Sequence, residues 1–198
     1  MYKYWVVAAF LCVIFISCDP SDEEGSSSKI PFNGARWADS VVGMSSEYYP
    51  AVPSWNAVEA LGEPNVYPDY GDIAEAWTSQ TQDGQREYLE LGFFANPQQV
   101  ASIAIFETYN PGAIDTLYVK NPNNNLWDVV WSDSAYDRGD SSRIFIANFA
   151  KTSFNVSVIR IAINSPKVAS WNEIDAVAIA QEEIPPFYDD STGFYSKN

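Results

Sequence analysis

The sequence predicts an all-β sandwich of antiparallel strands. Apolar residues alternate with a period of two through several short runs, and Gly, Pro, Asn and Asp punctuate those runs at close intervals. Aromatic residues, which fit the pleated surface of a sheet, make up 15% of the chain. No apolar pattern of helical period persists beyond two turns, and 198 residues are enough for one domain with a real core.

The chain opens on an address. Lys3 supplies a positive charge, residues 4–16 are uninterruptedly apolar, and Ser17 and Cys18 follow. A spanning helix needs about 20 apolar residues, so residues 1–17 are expected to be a cleaved signal peptide. A small residue before a cysteine at this point resembles a bacterial lipoprotein box, with Phe15 where an aliphatic residue is usual. The resemblance implies that Cys18 becomes the lipidated first residue of the mature protein, a membrane anchor made of acyl chains; ordinary secretion with cleavage nearby is the alternative. Residues 18–34 begin with an acidic, Ser-rich stretch that has no apolar residue through Ser28, and they are expected to form a flexible tether. An acidic cluster after a lipidated cysteine resembles the surface-export signal of Bacteroidetes lipoproteins, which implies the outer face of the outer membrane.

The folded body is expected over 35–180. Residues 55–62 suit a short helix or turn, and 63–72 lack strand alternation and are expected to form a long loop, the kind of segment that carries function on a rigid scaffold. In 88–93, Leu89, Leu91 and Phe93 share one face while Tyr88 and Glu90 share the other. Ile103 with Ile105, Leu117 with Val119, Trp127 with Val129 and Trp131, and Ile159 with Ile161 and Ile163 repeat the pattern. Residues 121–125 read as a hairpin loop, 137–142 as an exposed connection and 174–179 as a closing strand. The tail, 181–198, is expected to leave the sandwich as an extended segment.

Composition excludes several function classes. A net charge of −15 repels phosphate backbones, so nucleic acid is not an expected partner. There is no histidine, which removes His-based triads and imidazole metal ligands. Both cysteines, Cys12 and Cys18, precede the body, so no disulfide or thiolate site is expected within it. There is no histidine to activate a serine, and no catalytic residue is assigned.

Four ordered blocks carry a resemblance: Gly62-Glu63-Pro64-Asn65; Tyr70-Gly71-Asp72; Glu107-Thr108-Tyr109-Asn110-Pro111-Gly112-Ala113; and Trp171-Asn172-Glu173-Ile174-Asp175-Ala176-Val177. Together they resemble a discoidin-type, galactose-binding-like domain, in the form shared by pappalysin and a leucine-rich-repeat F-box protein. The resemblance implies an eight-stranded antiparallel jelly-roll sandwich whose loops at one end bind glycans, phospholipid head groups or proteins. It also implies a structural calcium ion, with Glu173 matching the glutamate that opens the last strand and Glu63, Asn65 and Asp72 as further ligands. The Asp-Gly pair usual in the calcium loop is replaced by Leu61-Gly62-Glu63-Pro64.

A sugar ring stacks its C–H face on an aromatic while amides and carboxylates fix its hydroxyls. Tyr67, Tyr70, Tyr109, Asn110, Trp171 and Asn172, in or beside the loops 63–72, 109–113 and 168–172, are the candidate ligand-binding residues. Trp77 reads as core. Glu107 reads as a buried fold-maintaining carboxylate, paired with Arg160 or with main-chain donors. The expected function is a non-catalytic cell-surface module for a glycan or an envelope protein. The alternatives are an adhesion lipoprotein with permanent protein contacts and, third, a polysaccharide-acting enzyme.

Overall fold

The structure, a computed structural model, describes residues 35–48 and 54–185, with the backbone of Tyr188–Asp189 and Phe194–Tyr195 besides. The signal peptide, Cys18 and the tether expected at 1–34 lie outside the described residues.

Two antiparallel sheets face each other. The first holds β1 (Arg36–Trp37), β9 (Glu173–Ala180), β4 (Ser102–Tyr109) and β7 (Arg143–Asn148), in that order. The second holds β2 (Ser40–Met44), β3 (Glu87–Gly92), β8 (Val158–Ile163), β5 (Ile114–Lys120) and β6 (Trp127–Ser132). The longer strands β2 to β9 make the eight-stranded jelly roll, to which the two-residue β1 is added. A short pair, β10 (Tyr188–Asp189) with β11 (Phe194–Tyr195), stands outside both sheets.

The period-two residues build the core. Leu89 pairs in register with Ile161 and Leu91 with Ile159, and all four are fully buried between the sheets. Burying each such side chain contributes about 1.5–3 kcal/mol. Ile103, Ile105, Leu117, Val119 and Ile163 join them, as does Trp77 at 1% exposure. The segment 55–62 contains a single 3-10 turn, Ala57–Ala60, whose Ala57 and Ala60 are buried.

The one-face reading of Trp127, Val129 and Trp131 is corrected. Leu117 pairs with Trp131 but Tyr118 pairs with Val129, a bulge that inserts Val130 and inverts the alternation. Trp131 and Val130 pack on the core, Val129 is exposed, and Trp127 lies under the Lys120 ammonium and the Arg160 guanidinium. The predicted closing strand, β9, is central rather than peripheral, paired with β1 on one side and β4 on the other.

Every residue of β9 is buried, because the outer face of its sheet is also covered. Phe106, Ala104, Ala176 and Ala178 point away from the inter-sheet core yet are fully buried. A strap formed by 62–72 lies over them. It leaves Ala38, where Gly62 N–H donates to the Ala38 carbonyl, and reaches the far end of the sheet, where Gly71 N–H donates to Thr108. Midway, the buried Asp175 carboxylate accepts the main-chain N–H groups of Asn65, Val66 and Tyr67 at 2.9–3.3 Å, and the Tyr67 ring meets Phe106 edge-on at 5.3 Å. Small alanines on β4 and β9 let the strap approach. The start of the tail stays on this face too: Ser102 Oγ donates to the Glu182 carbonyl, and Ile184 is held by Ser102 and Asn148.

Candidate functional site

The loops at the Glu173 end of the sandwich converge. Asn110 Nδ2 donates to the Trp171 carbonyl at 2.9 Å and Asn172 Nδ2 donates to the Asn110 carbonyl at 2.8 Å, so two amides clamp loops 109–113 and 168–172 together. Tyr70 brings in the strap, its hydroxyl shared between Asn110 Oδ1 at 3.1 Å and Asp140 Oδ1 at 3.3 Å, its ring tilted on Tyr109 with centroids 5.5 Å apart. Tyr48 sits edge-on to both Trp171 and Trp55. Asp83 accepts the Ser170 N–H at 3.1 Å, attaching the loop before β3.

Five of the six predicted ligand-binding residues are therefore neighbours: Tyr70, Tyr109, Asn110, Trp171 and Asn172. Tyr67 stands apart on the sheet face. Asn172 is 7% exposed and its amide nitrogen is committed to the clamp, so its role is positional. Sequence reasoning did not assign Tyr48, Trp55, Asp140 or Asp175 to the site. Asp175 had a signal, a carboxylate inside the apolar run of β9; the other three sit in irregular loops with no pattern to mark them.

Backbone strain concentrates here. Among the described residues five non-glycine residues have positive φ, and four of them, Trp55, Asp83, Asn110 and Ser170, stand on these converging loops. For a side chain as large as tryptophan that conformation is a genuine outlier, and it persists only where the surroundings enforce it.

The predicted calcium ligands do not gather. Glu173 is 1% exposed, accepts the Ile73 N–H on Oε2 at 3.2 Å, and has an Oε1 that is buried without a hydrogen bond. Burial raises its pKa to about 9; the Ile73 N–H opposes the shift, and the neighbouring Asp72 carboxylate adds to it. The indole N–H of Trp55 also favours the charged form without completing a hydrogen bond of ordinary geometry. Asn65 instead gives its N–H to Asp175. Glu63 lies at the other end of the strap, beside the Trp37 and Ala178 pair. From Glu173 to Ala178 is about 16 Å at the rise of a β-strand. Among the described residues no three Asp, Glu, Cys or His side chains form a cluster able to hold a metal.

Glu107 is fold-maintaining, but its partner is not Arg160. Oε2 accepts from Arg143 Nε at 2.6 Å and Oε1 from Gly112 N–H at 2.8 Å, while Arg160 pairs with Glu90 across β3 and β8. Gly112 has φ of +110°, and a β-carbon there would lie 2.1 Å from the Tyr136 carbonyl oxygen. Gly112→Ala is accordingly expected to destabilise the fold by about 3 kcal/mol or more in chemical denaturation, whereas Gly139→Ala, with φ of +88° but open space around it, should cost about 1 kcal/mol. Equal losses at the two positions would contradict the close approach.

Comparison with known proteins places this geometry. The family model described as "Pappalysin-1, SD scarf domain, C-terminal" matches residues 36–185. The F-box/LRR-repeat protein 4 of Bos taurus is 26% identical over 212 residues, which takes in 88% of this chain; the chain spans 33% of that relative's length. A mutant chitosan-binding module 1 from a chitosanase/glucanase of Paenibacillus sp. IK-5 is similar at TM-score 0.50 and 13% identity, over 76% of this chain and 96% of that one. The N-terminal domain of the single-strand break repair protein XRCC1 reaches TM-score 0.51 at 14% identity, over 74% and 98%. A Clostridium perfringens module solved in complex with GalNAc-beta-1,3-galactose reaches 0.50 at 13% identity, over 76% and 98%. At these identities the likeness establishes the galactose-binding-like fold and nothing of the ligand.

Proposed function

The chain belongs to the family of the C-terminal SD scarf domain of pappalysin-1, and from that membership and the loop geometry we propose that it is a non-catalytic binding module that recognises a glycan at the Glu173 end of the sandwich. The observation that carries this reading is the strain: four enforced positive-φ residues on loops from separate parts of the chain, all at one end. Such strain clusters at ligand clamps, where the surroundings hold it in place. The half-buried rings of Tyr70, Tyr109 and Trp171 supply stacking surface, and Asp140 supplies a carboxylate for sugar hydroxyls. The similarity to two carbohydrate-binding modules supports the choice of a glycan. Presentation at the cell surface, by lipid on Cys18 and through the acidic tether, is part of the proposal.

The test is a binding isotherm for each glycan that the chain retains, repeated with Tyr70→Ala and Trp171→Ala. Each substitution is expected to weaken binding tenfold or more with the far-ultraviolet dichroism unchanged. Unchanged affinity in both variants removes this end of the molecule as the site.

Calcium belongs to the same proposal. Glu173 and Asp72 are hard oxygen donors, and the orphaned Glu173 Oε1 suits a cation; main-chain carbonyls and water would complete the set of about six to eight oxygens that calcium takes. Calcium is expected to raise the melting temperature by roughly 5 °C over that in chelator. Coincident melts would count against the ion.

A permanent protein partner is the second reading. Leu126 and Val129, 62% and 57% exposed, stand at the β6 edge of the five-stranded sheet and favour it. Cross-linking that recovers one stoichiometric partner, with no glycan bound, would establish it.

A further inference from the structure

A concavity lies at the end of the sandwich away from the loop cluster, where β1 begins, β3 ends and the strap departs. Its volume is about 460 Å³, within the range of small-ligand pockets, and it is bordered by Arg36, Trp37, Asp39, Glu63, Phe93 and Asn96. Arg36 pairs with Ile179 across β1 and β9, six residues from Glu173, so about 20 Å of strand separates this groove from the loop cluster.

The groove is built before any ligand arrives. Trp37 is half-buried, its ring seated against Phe106 with centroids 5.6 Å apart. Asp39 is fixed by three hydrogen bonds: its Oδ2 accepts the Ala95 N–H at 2.7 Å, its Oδ1 accepts from Ser40 Oγ at 2.7 Å, and its own N–H donates to Gly92 at 2.9 Å. Glu63 and Asn96 are exposed. Arg36 is exposed as well, and although it borders the same groove as two carboxylates it makes no salt bridge with either.

The donor and acceptor types select a ligand class. A guanidinium and an amide donate, two carboxylates accept, and an indole lies among them. A hydroxyl is the group that uses both kinds at once, since it donates to carboxylate and accepts from Arg or Asn. A polyanion would meet Asp39 and Glu63 within a chain of net charge −15. A compact cation would meet Arg36. A neutral ring carrying several hydroxyls and an apolar C–H face meets no such opposition.

We propose that this groove is a second sugar-binding site, one that takes neutral hexose rings, with Asp39, Glu63, Asn96 and Arg36 as hydroxyl partners and the Trp37 indole in its wall. The chain is then bivalent, with one site at each end of the sandwich. Two sites that engage one polymer bind more tightly than either alone wherever the polymer spans them.

The experiment titrates the full-length chain calorimetrically with neutral tetrasaccharides of glucose, galactose and mannose. Three forms are compared: the parent, the double variant Glu63→Gln with Asn96→Ala, and Tyr70→Ala. Glu63 and Asn96 are solvent-exposed, so the double variant is expected to melt with the parent. At least one tetrasaccharide is expected to bind the parent, and its affinity is expected to fall tenfold or more in the double variant while Tyr70→Ala retains a binding event. If no tetrasaccharide binds the parent, or if the double variant binds as the parent does, the groove is overturned. Binding lost only in Tyr70→Ala overturns the groove and leaves the loop end standing; binding lost only in the double variant does the reverse.

Discussion

Asp175→Ala is expected to lower the free energy of unfolding by about 3–5 kcal/mol, because three main-chain N–H groups lose one acceptor in a single step. Asp175 is 1% exposed, so water does not replace it without opening the strap. Opening the strap uncovers Phe106, Ala176 and Ala178, a face that the fold keeps dry. The carboxyl's pKa is raised, since burial outweighs the three N–H donors from Tyr67, Asn65 and Val66. Asp175→Asn keeps one acceptor oxygen and removes the cost of a buried charge, so it should lose clearly less than Asp175→Ala. Urea denaturation measures both, and a loss below 1 kcal/mol for Asp175→Ala would show that the strap is held by something else.

The second large effect is on pH. Glu173 has its pKa raised from 4.5 to about 9 in the folded protein, chiefly by burial. Below about pH 4.5 the carboxyl is protonated in both folded and unfolded chains and contributes nothing to the difference. Between about 4.5 and 9 the unfolded chain has released that proton and the folded chain has not, so stability falls as pH rises, by up to about 1.4 kcal/mol per unit and about 6 kcal/mol across the window. Above about 9 both forms are ionised and the slope ends. Asp175, also raised, adds to the decline in the same direction. Denaturation in chelator from pH 5 to 9 measures the slope, and Glu173→Gln should remove most of it. Saturating calcium should flatten it as well, since bound cation holds the carboxylate in its charged form. A flat profile in chelator would mean that Glu173 is ionised at neutral pH.

How far the sequence could be read follows from where alternation survives. Strands β3, β5 and β8 have one face in the core and one nearer water, and their period-two pattern is plain. β7 was not legible as a strand: Ile144, Phe145, Ile146 and Ala147 are buried on both faces, so the run has no alternation to show. β9 has the same burial, and its ordered motif identified it. β6 misled because the bulge at Val130 changes face in mid-strand, and a bulge leaves no mark in composition. At the site, residues flanking strand ends were legible through the four motif blocks, and they do converge. The resemblance implies that Glu63 and Asn65 join Glu173 in one calcium loop, and nothing in the residues themselves shows how far the chain runs between them. The chain there is extended, and it carries Glu63 and Asp72 to opposite ends of the sheet.

A binding module, unlike an enzyme, holds a glycan without transforming it. The direct measurement passes a mixed glycan library over the immobilised protein, with and without calcium, and determines by mass spectrometry what is retained and in what form. At least one glycan is expected to be retained and to be eluted at its original mass. Retention of nothing under either condition, or elution of shortened products, would contradict it.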